Sequence, residues 1–222
     1  MGILVELMTG IGPVTPTLPI KDATNPYGQT KIMIEKILTD FAKVENTNVA
    51  LLRYFNPIGA HPSGLLGEDP NGLPNNLFPY LNKVAVGELP KLNIFGDDYN
   101  TVDGTGVRDY IHVMDLAKGH VLALNKLSEN CGVFVCNLGT GKGTSVLELV
   151  TDYEKANNIK IDYVIAPRRD GDIAENFAGT EKAKNELGFE CDYTVFDACS
   201  DGYRFQIYST FVSHLKDKKN KQ

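Results

Sequence analysis

The chain has 222 residues, 42% hydrophobic and 23% charged, an ordinary globular balance with enough apolar material for a sizeable core. A net charge of −6 and a pI near 5.2 argue against nucleic acid as a partner. No run of about 18 apolar residues occurs, so no membrane-spanning helix is expected, and the apolar start, 1–8, is too short and lacks the basic flank of a signal peptide.

In chain order, the first clear element is a helix after Thr24-Asn25-Pro26. Asn25 suits the N-cap and Pro26 the first helical position. Ile34, Ile37, Leu38, Phe41 and Ala42 recur at helical spacing, and the helix should stop near Asn46. Residues 49–55 are an unbroken apolar, β-rich run ended by Asn56-Pro57 and Gly59, which suits a buried parallel strand. The Gly/Pro/Asn-rich stretch 61–76 is too long for a simple turn, and loops of that size are often functional. A helix over 77–87, a strand over 91–95 and a polar loop over 97–106 follow. Then come a strand at 109–112, a helix at 113–126, a strand at 132–138, a helix at 145–158 and a strand at 162–166. Residues 180–187 form a short helix closed by Gly188, and 195–216 a last helical pattern interrupted at Gly202. The tail 216–222 is basic and polar and is expected to be disordered. Strands alternating with helices predict an α/β fold with a parallel sheet.

Cys131, Cys136, Cys191 and Cys199 match no zinc spacing and read as reduced thiols of a cytoplasmic protein, so no metal is expected. Gly139-Thr140-Gly141-Lys142-Gly143-Thr144 follows a strand and opens a helix as a phosphate loop would. It has neither the P-loop nor the dinucleotide spacing and reads as a tight strand-to-helix turn. His112 and His120 read as structural.

Tyr27 and Lys31 lie four apart on the first helix, hence on one face, about 6 Å apart along the axis. A free phenol titrates near pH 10 and is a poor base at neutral pH. A neighbouring ammonium favours its phenolate, and such a pair can abstract a proton from an alcohol. The spacing alone is common by chance on helix surfaces.

Its surroundings are more specific. Asn25-Pro26-Tyr27-Gly28-Gln29-Thr30-Lys31, followed after one helix and one strand by Leu52-Arg53-Tyr54-Phe55-Asn56-Pro57, resembles the extended short-chain dehydrogenase/reductase family. Gly59-Ala60-His61-Pro62-Ser63-Gly64, Gly67-Glu68-Asp69-Pro70, Pro74-Asn75-Asn76-Leu77, Gly104-Thr105-Gly106-Val107-Arg108-Asp109-Tyr110-Ile111-His112 and Arg168-Arg169-Asp170-Gly171-Asp172 narrow the resemblance. In order and spacing they are similar to the UDP-glucose/UDP-galactose 4-epimerases, over 18–188.

The resemblance implies the C-terminal part of a Rossmann-type NAD-binding domain (1–58, with the Tyr–Lys helix) plus a smaller α/β UDP-sugar-binding domain (mainly 59–215). The two are interleaved through 109–126. It implies Tyr27 as general base and acid, with Lys31 on the nicotinamide ribose and Tyr54 beside the cofactor. It implies a UDP-sugar site of Thr9, Tyr54, Phe55, Asn56, Asn75, Asn76, Leu77, Asn93, Ile94, Phe95, Arg108, Arg169, Asp170, Gly171, Asp172 and Asn176. Guanidinium forks at Arg108 and Arg169 suit a diphosphate, and asparagine amides suit ribose and uracil edges. Phe95 suits the uracil face and Asp172 the ribose hydroxyls. Read without the family, Arg108 and Asp109 could form a structural ion pair, Arg168 and Arg169 could be surface charges, and Asn75-Asn76 could cap the next helix.

The implied reaction interconverts UDP-glucose and UDP-galactose by NAD-mediated oxidation and reduction at sugar C4, in a homodimer. The smaller Asn176, where a large aromatic would crowd the sugar's C2 substituent, also admits N-acetylated sugars. The sequence departs from the family in lacking a Gly-x-x-Gly-x-x-Gly turn and in placing Leu7 where a catalytic Ser is usual. It therefore reads as N-terminally truncated, and the chain alone is expected to be inactive. The alternatives are a non-catalytic UDP-sugar-binding or subunit-interaction protein, and a related UDP-sugar dehydratase or decarboxylase.

Overall fold

The structure is a computed structural model that describes residues 2–4, 13–15 and 26–220. The strands are β1 (Gly2–Leu4), β2 (Pro13–Val14), β3 (Val49–Tyr54), β4 (Asn56–Ile58), β5 (Leu92–Phe95), β6 (Val107–Arg108), β7 (Tyr110–His112), β8 (Val133–Leu138), β9 (Thr144–Ser145), β10 (Tyr163–Ala166) and β11 (Glu175–Ala178). The helices are α1 (Pro26–Val44), α2 (Leu77–Ala85), α3 (Val113–Leu127), α4 (Val146–Asn157), α5 (Glu181–Leu187) and α6 (Val195–Asn220). The proposed cap Asn25 lies outside the described residues; Pro26 opens α1 as expected.

Strand β3 sits at the centre of the parallel sheet β1-β3-β8, paired along its whole length with β8 from Val49↔Val133 to Tyr54↔Leu138. Its apolar run is explained by burial on both faces. Ala50 and Leu52 join Leu116, Phe134, Cys136, Leu138, Leu187 and Phe189, while Val49 and Leu51 meet Ala42 of α1. Burying a Leu of this kind stabilises by about 1.5–3 kcal/mol. Helix α3 packs on β3 and α5 on β8, so the chain does return to this sheet after residue 112.

A second core gathers α2, α4, α6 and β5. Phe78, Leu81, Leu92, Ile94, Leu149, Tyr153, Ile161 and Ala198 fill it. The hydroxyl of Tyr153 within it is satisfied, because Tyr153 Oη donates to Asn82 Oδ1 at 2.7 Å. Strands β5 and β10 pair in parallel beside this core. The other short strands are β4 with β7, and β2-β11-β6-β9. Strands β4, β6, β9 and β11 have two to four residues and carry no periodicity of their own, so sequence patterning does not reveal them.

Helix ends follow local chemistry. Ser145 Oγ accepts from Glu148 N at 3.0 Å and Glu148 Oε2 accepts from Ser145 N at 2.8 Å, a complete capping box. Gly188 closes α5 with φ +64. The expected interruption at Gly202 is corrected: α6 runs through it without a break. The glycine is there because the Phe78 ring lies on its Cα, and a Cβ would stand 2.5 Å from Phe78 Cε1. The helix backbone also continues to Asn220, past residue 215, where a free tail was expected. No helix among the described residues is long and apolar enough to cross a membrane.

Candidate functional site

A cleft of about 700 Å³ opens between the α2 entry, β5, β6 and the turn after β10. The loop 61–76 delivers Asn75 and Asn76 to its rim, and Leu77 begins α2 there. Asn76 occupies the N-cap position of α2, yet its side chain makes no capping bond. The capping alternative thus accounts for the backbone only, and both exposed amides remain available to the cleft. Strand β5 alternates as its pleat requires: Leu92 and Ile94 are buried in the second core, while Asn93 and Phe95 are exposed on the cleft side.

The guanidinium of Arg108 enters from β6. Its Nη1 donates to the carbonyl of Val107 at 2.8 Å. Asp109 is not its partner. That carboxylate is fully buried and accepts from Thr140 N (2.9 Å), Thr140 Oγ1 (2.7 Å), Gly141 N (2.9 Å) and Ala178 N (3.1 Å). The ion-pair alternative for Arg108 and Asp109 therefore fails, and Arg108 faces the cleft. The same contacts explain the Gly139–Thr144 segment. Its amides converge on a carboxylate of the chain itself, and a Cβ on Gly139 would stand 2.6 Å from Asp109 Oδ2.

On the far wall Arg169 Nε donates to Asp172 Oδ2 at 2.9 Å, and its guanidinium lies 4.7 Å from the Phe95 ring centroid. Asp170 also lines the cleft. Gly171 does not, but its φ of +84 permits the turn. Asn56, at the start of β4, completes the set. Sequence reasoning did not single out Tyr80, Tyr99, Tyr110 or Val146, which also border the cleft. Tyr80 is the one with a local signal, lying one helical turn after Leu77.

The Tyr–Lys helix is separate from this lining. Lys31 Nζ lies 5.0 Å from the Tyr27 ring centroid, and Tyr27 is 56% exposed. Two turns on, the buried Glu35 carboxylate accepts from Arg53 Nε (2.8 Å) and Nη2 (2.9 Å), tying α1 to β3. Tyr54 ends β3 with its ring 6.2 Å from that of His120. Phe55 is buried in contact with Ala178. Asn176 is 2% exposed, paired in register with Arg108, and its Oδ1 has no hydrogen-bond partner among the described residues. Thr9, Leu7 and Asn25 lie outside the described residues.

The histidines play structural parts. His112 Nδ1 accepts from Met114 N at 3.0 Å, capping α3, and its ring stacks on Tyr193 at 4.3 Å. Burial pushes its pKa down, against the pull of Asp201, whose Oδ2 stands 3.4 Å from Nε2. His120 Nδ1 lies 2.8 Å from the carbonyl of Leu116. All four cysteines are free thiols, and burial pushes Cys191 up to about 12. No group of side chains that could hold a metal occurs among the described residues.

The model of the NAD dependent epimerase/dehydratase family matches residues 8–139. The UDP-glucose 4-epimerase of Bacillus subtilis is 57% identical over 195 residues, covering 87% of this chain and 57% of that protein. The human UDP-glucose 4-epimerase is 51% identical, covering 87% and 56%. The UDP-glucose 4-epimerase of Bifidobacterium longum, solved in complex with NAD+ and UDP, superposes with a TM-score of 0.87 at 49% identity, over 94% of this chain and 64% of that one. The enzyme of Stenotrophomonas maltophila, solved with bound NAD and formylated UDP-arabinopyranose, gives 0.91 at 44% identity, over 95% and 64%. The chain spans little more than half the length of the curated relatives it matches. It belongs to the NAD dependent epimerase/dehydratase family.

Proposed function

We propose that this chain supplies the UDP-sugar cleft and the Tyr–Lys pair of an NAD-dependent enzyme that interconverts UDP-glucose and UDP-galactose. The carrying observation is the cleft, which brings Asn75, Asn76, Asn93, Phe95, Arg108, Arg169 and Asp172 together from four separate stretches of chain. Two guanidinium groups suit the diphosphate, and Phe95 offers its ring to uracil. The Arg169–Asp172 pair combines a cation suited to the phosphate with an acceptor suited to the ribose hydroxyls.

NAD fits the residues present at its nicotinamide end. Lys31 is half-buried, Tyr27 is reachable beside it, and Tyr54 ends the neighbouring strand. When bound, NAD supplies a reversible hydride acceptor for sugar C4. Tyr27 would take the proton of the 4-hydroxyl and return it to the same oxygen once the keto sugar presents its other face, with Lys31 stabilising the phenolate. Asn176 is the residue we assign to the sugar's C2 substituent. Asn176 is buried and stands outside the cleft lining; an amide smaller than an aromatic ring at this position is what supports UDP-N-acetylgalactosamine as a substrate beside UDP-galactose. Reduced thiols support a cytoplasmic setting. The apolar outer face of α1 supports a homodimer.

Titration of the pure chain with UDP in a calorimeter tests the cleft. We expect saturable binding, weakened roughly 10- to 100-fold by Arg108→Ala, the worth of charge-assisted hydrogen bonds. No UDP binding would sink the reading. Conversion of UDP-galactose in the presence of NAD tests the chemistry. Tyr27→Phe should lower any turnover by about 10²–10⁴-fold, and turnover indifferent to that change would remove Tyr27 from its role.

A further inference from the structure

Arg168 stands one residue before Arg169 but turns away from the cleft. Its Nε donates to Asp98 Oδ1 at 2.6 Å and its Nη2 to the carbonyl of Asp98 at 2.5 Å. Its guanidinium lies 3.9 Å from the Tyr99 ring centroid. Tyr99 is buried and borders the cleft from behind. Gly96 completes the fit. A Cβ there would stand 2.7 Å from Tyr99 Cε2 and 2.8 Å from Arg168 Cγ, and its φ is +82. The Gly96 amide donates to the carbonyl of Ala166 at 2.8 Å, extending the β5–β10 ladder up to this stitch.

The turn that follows has few anchors. Arg169, Asp170 and Gly171 are exposed. Among the described residues the hydrogen bonds within the turn are its own: Arg169 to Asp172 through side chains, and Asp172 N to the Arg169 carbonyl at 3.3 Å. On its C-terminal side the carbonyl of Ala174 accepts from Val107 N at 2.8 Å. On its N-terminal side the side-chain anchor is Arg168.

We infer that Arg168 is a positioning residue. Gripping Asp98 and stacked on Tyr99, it sets where the Arg169 backbone stands over the cleft, and so where that guanidinium meets the diphosphate. The inference rests on the proposed UDP cleft. A bidentate, stacked guanidinium holds one geometry that a flexible ammonium does not.

The test uses the full chain and two probes, UDP by calorimetry and uridine by NMR titration. Arg168→Met should weaken UDP about tenfold and leave uridine within about twofold, a loss confined to the phosphate end. Arg168→Lys should be as weak for UDP as Arg168→Met, because it keeps the charge and loses the fork and the stack. Gly96→Ala, whose methyl would press on both the Tyr99 ring and the Arg168 stem while leaving the arginine itself in the sequence, should reproduce the loss, and serves if Arg168→Met folds poorly. Restoration by Lys would reduce the effect to charge attraction and overturn the inference. So would equal losses for UDP and uridine, or unchanged UDP affinity in both Arg168→Met and Gly96→Ala. An unsubstituted chain that binds no UDP overturns this inference and the proposed cleft together; a chain that binds UDP and ignores Arg168 overturns this inference alone.

Discussion

The Asp109 carboxylate has no solvent exposure and takes hydrogen bonds from three backbone amides and one hydroxyl. Those donors lie in two segments, the Gly139–Thr144 turn and β11. Removing the acceptor leaves buried amides unpaired, at about 1–3 kcal/mol each. We therefore predict that Asp109→Ala lowers stability by about 3–5 kcal/mol in urea unfolding; a loss under about 1 kcal/mol would show that water replaces the carboxylate. His112 makes a pH prediction. Burial lowers its pKa, while Asp201, Asp115 and Asp197 pull the other way and lose. The neutral ring is the one the fold prefers. Its contribution is fully present above the unfolded value of about 6.5 and is lost as pH falls through the folded value. Between pH 7 and 5, wild-type stability should fall more steeply than that of His112→Asn, which keeps a capping acceptor without the titration. Parallel pH profiles would contradict this.

At the scale of elements, α1 shows how few buried side chains hold the Tyr27–Lys31 helix. Of its described side chains only Glu35 and Ala42 are buried, and Glu35 meets Arg53 in the sheet. A buried pair broken on one side leaves an uncompensated charge, costing about 3–5 kcal/mol, whereas replacing both partners with apolar groups is often near neutral. Glu35→Met and Arg53→Met should each be strongly destabilising, and the double variant should recover most of the loss. If the double loss equals the sum of the singles, the two side chains act independently. Helix α6 offers a prediction of sign. Helix propensity favours Gly202→Ala by about 1 kcal/mol. The Phe78 ring, 2.5 Å from the added methyl, opposes it at about 1–3 kcal/mol. Packing should win, with Gly202→Ala melting lower than the parent. A higher melting temperature would mean that the ring moves aside freely.

For the whole molecule the exposed apolar residues matter most. Met33, Ile37, Phe41 and Val44 are 51–80% exposed along one face of α1. Such a stripe at helical spacing is the usual mark of a helix-pairing surface, and a twofold arrangement would set α1 against its own copy. Ile37→Glu with Phe41→Glu should shift the chain toward monomer in multi-angle light scattering. An unchanged mass would place any self-association elsewhere.

Periodicity and punctuation alone determined the long elements. The apolar spacing of α1, the unbroken run of β3 and the stop at Gly188 are written among near neighbours, so they are legible without the fold. The cleft residues Asn75, Asn76, Arg108, Arg169, Asp170 and Asp172 were legible only through the motifs that carry the family resemblance. Tertiary structure decided the rest. Asp109 meets donors 31, 32 and 69 positions away, Glu35 meets Arg53 across a helix-to-sheet contact, and Gly202 answers to Phe78. Adjacent Arg168 and Arg169 differ in surroundings for the same reason: as charges they are equivalent, and it is the ring and carboxylate each one meets in space that sets Arg168 on Tyr99 and Asp98 and Arg169 in the cleft. Pairings of buried polar groups are set by distance in the folded chain, which spacing along the sequence does not encode.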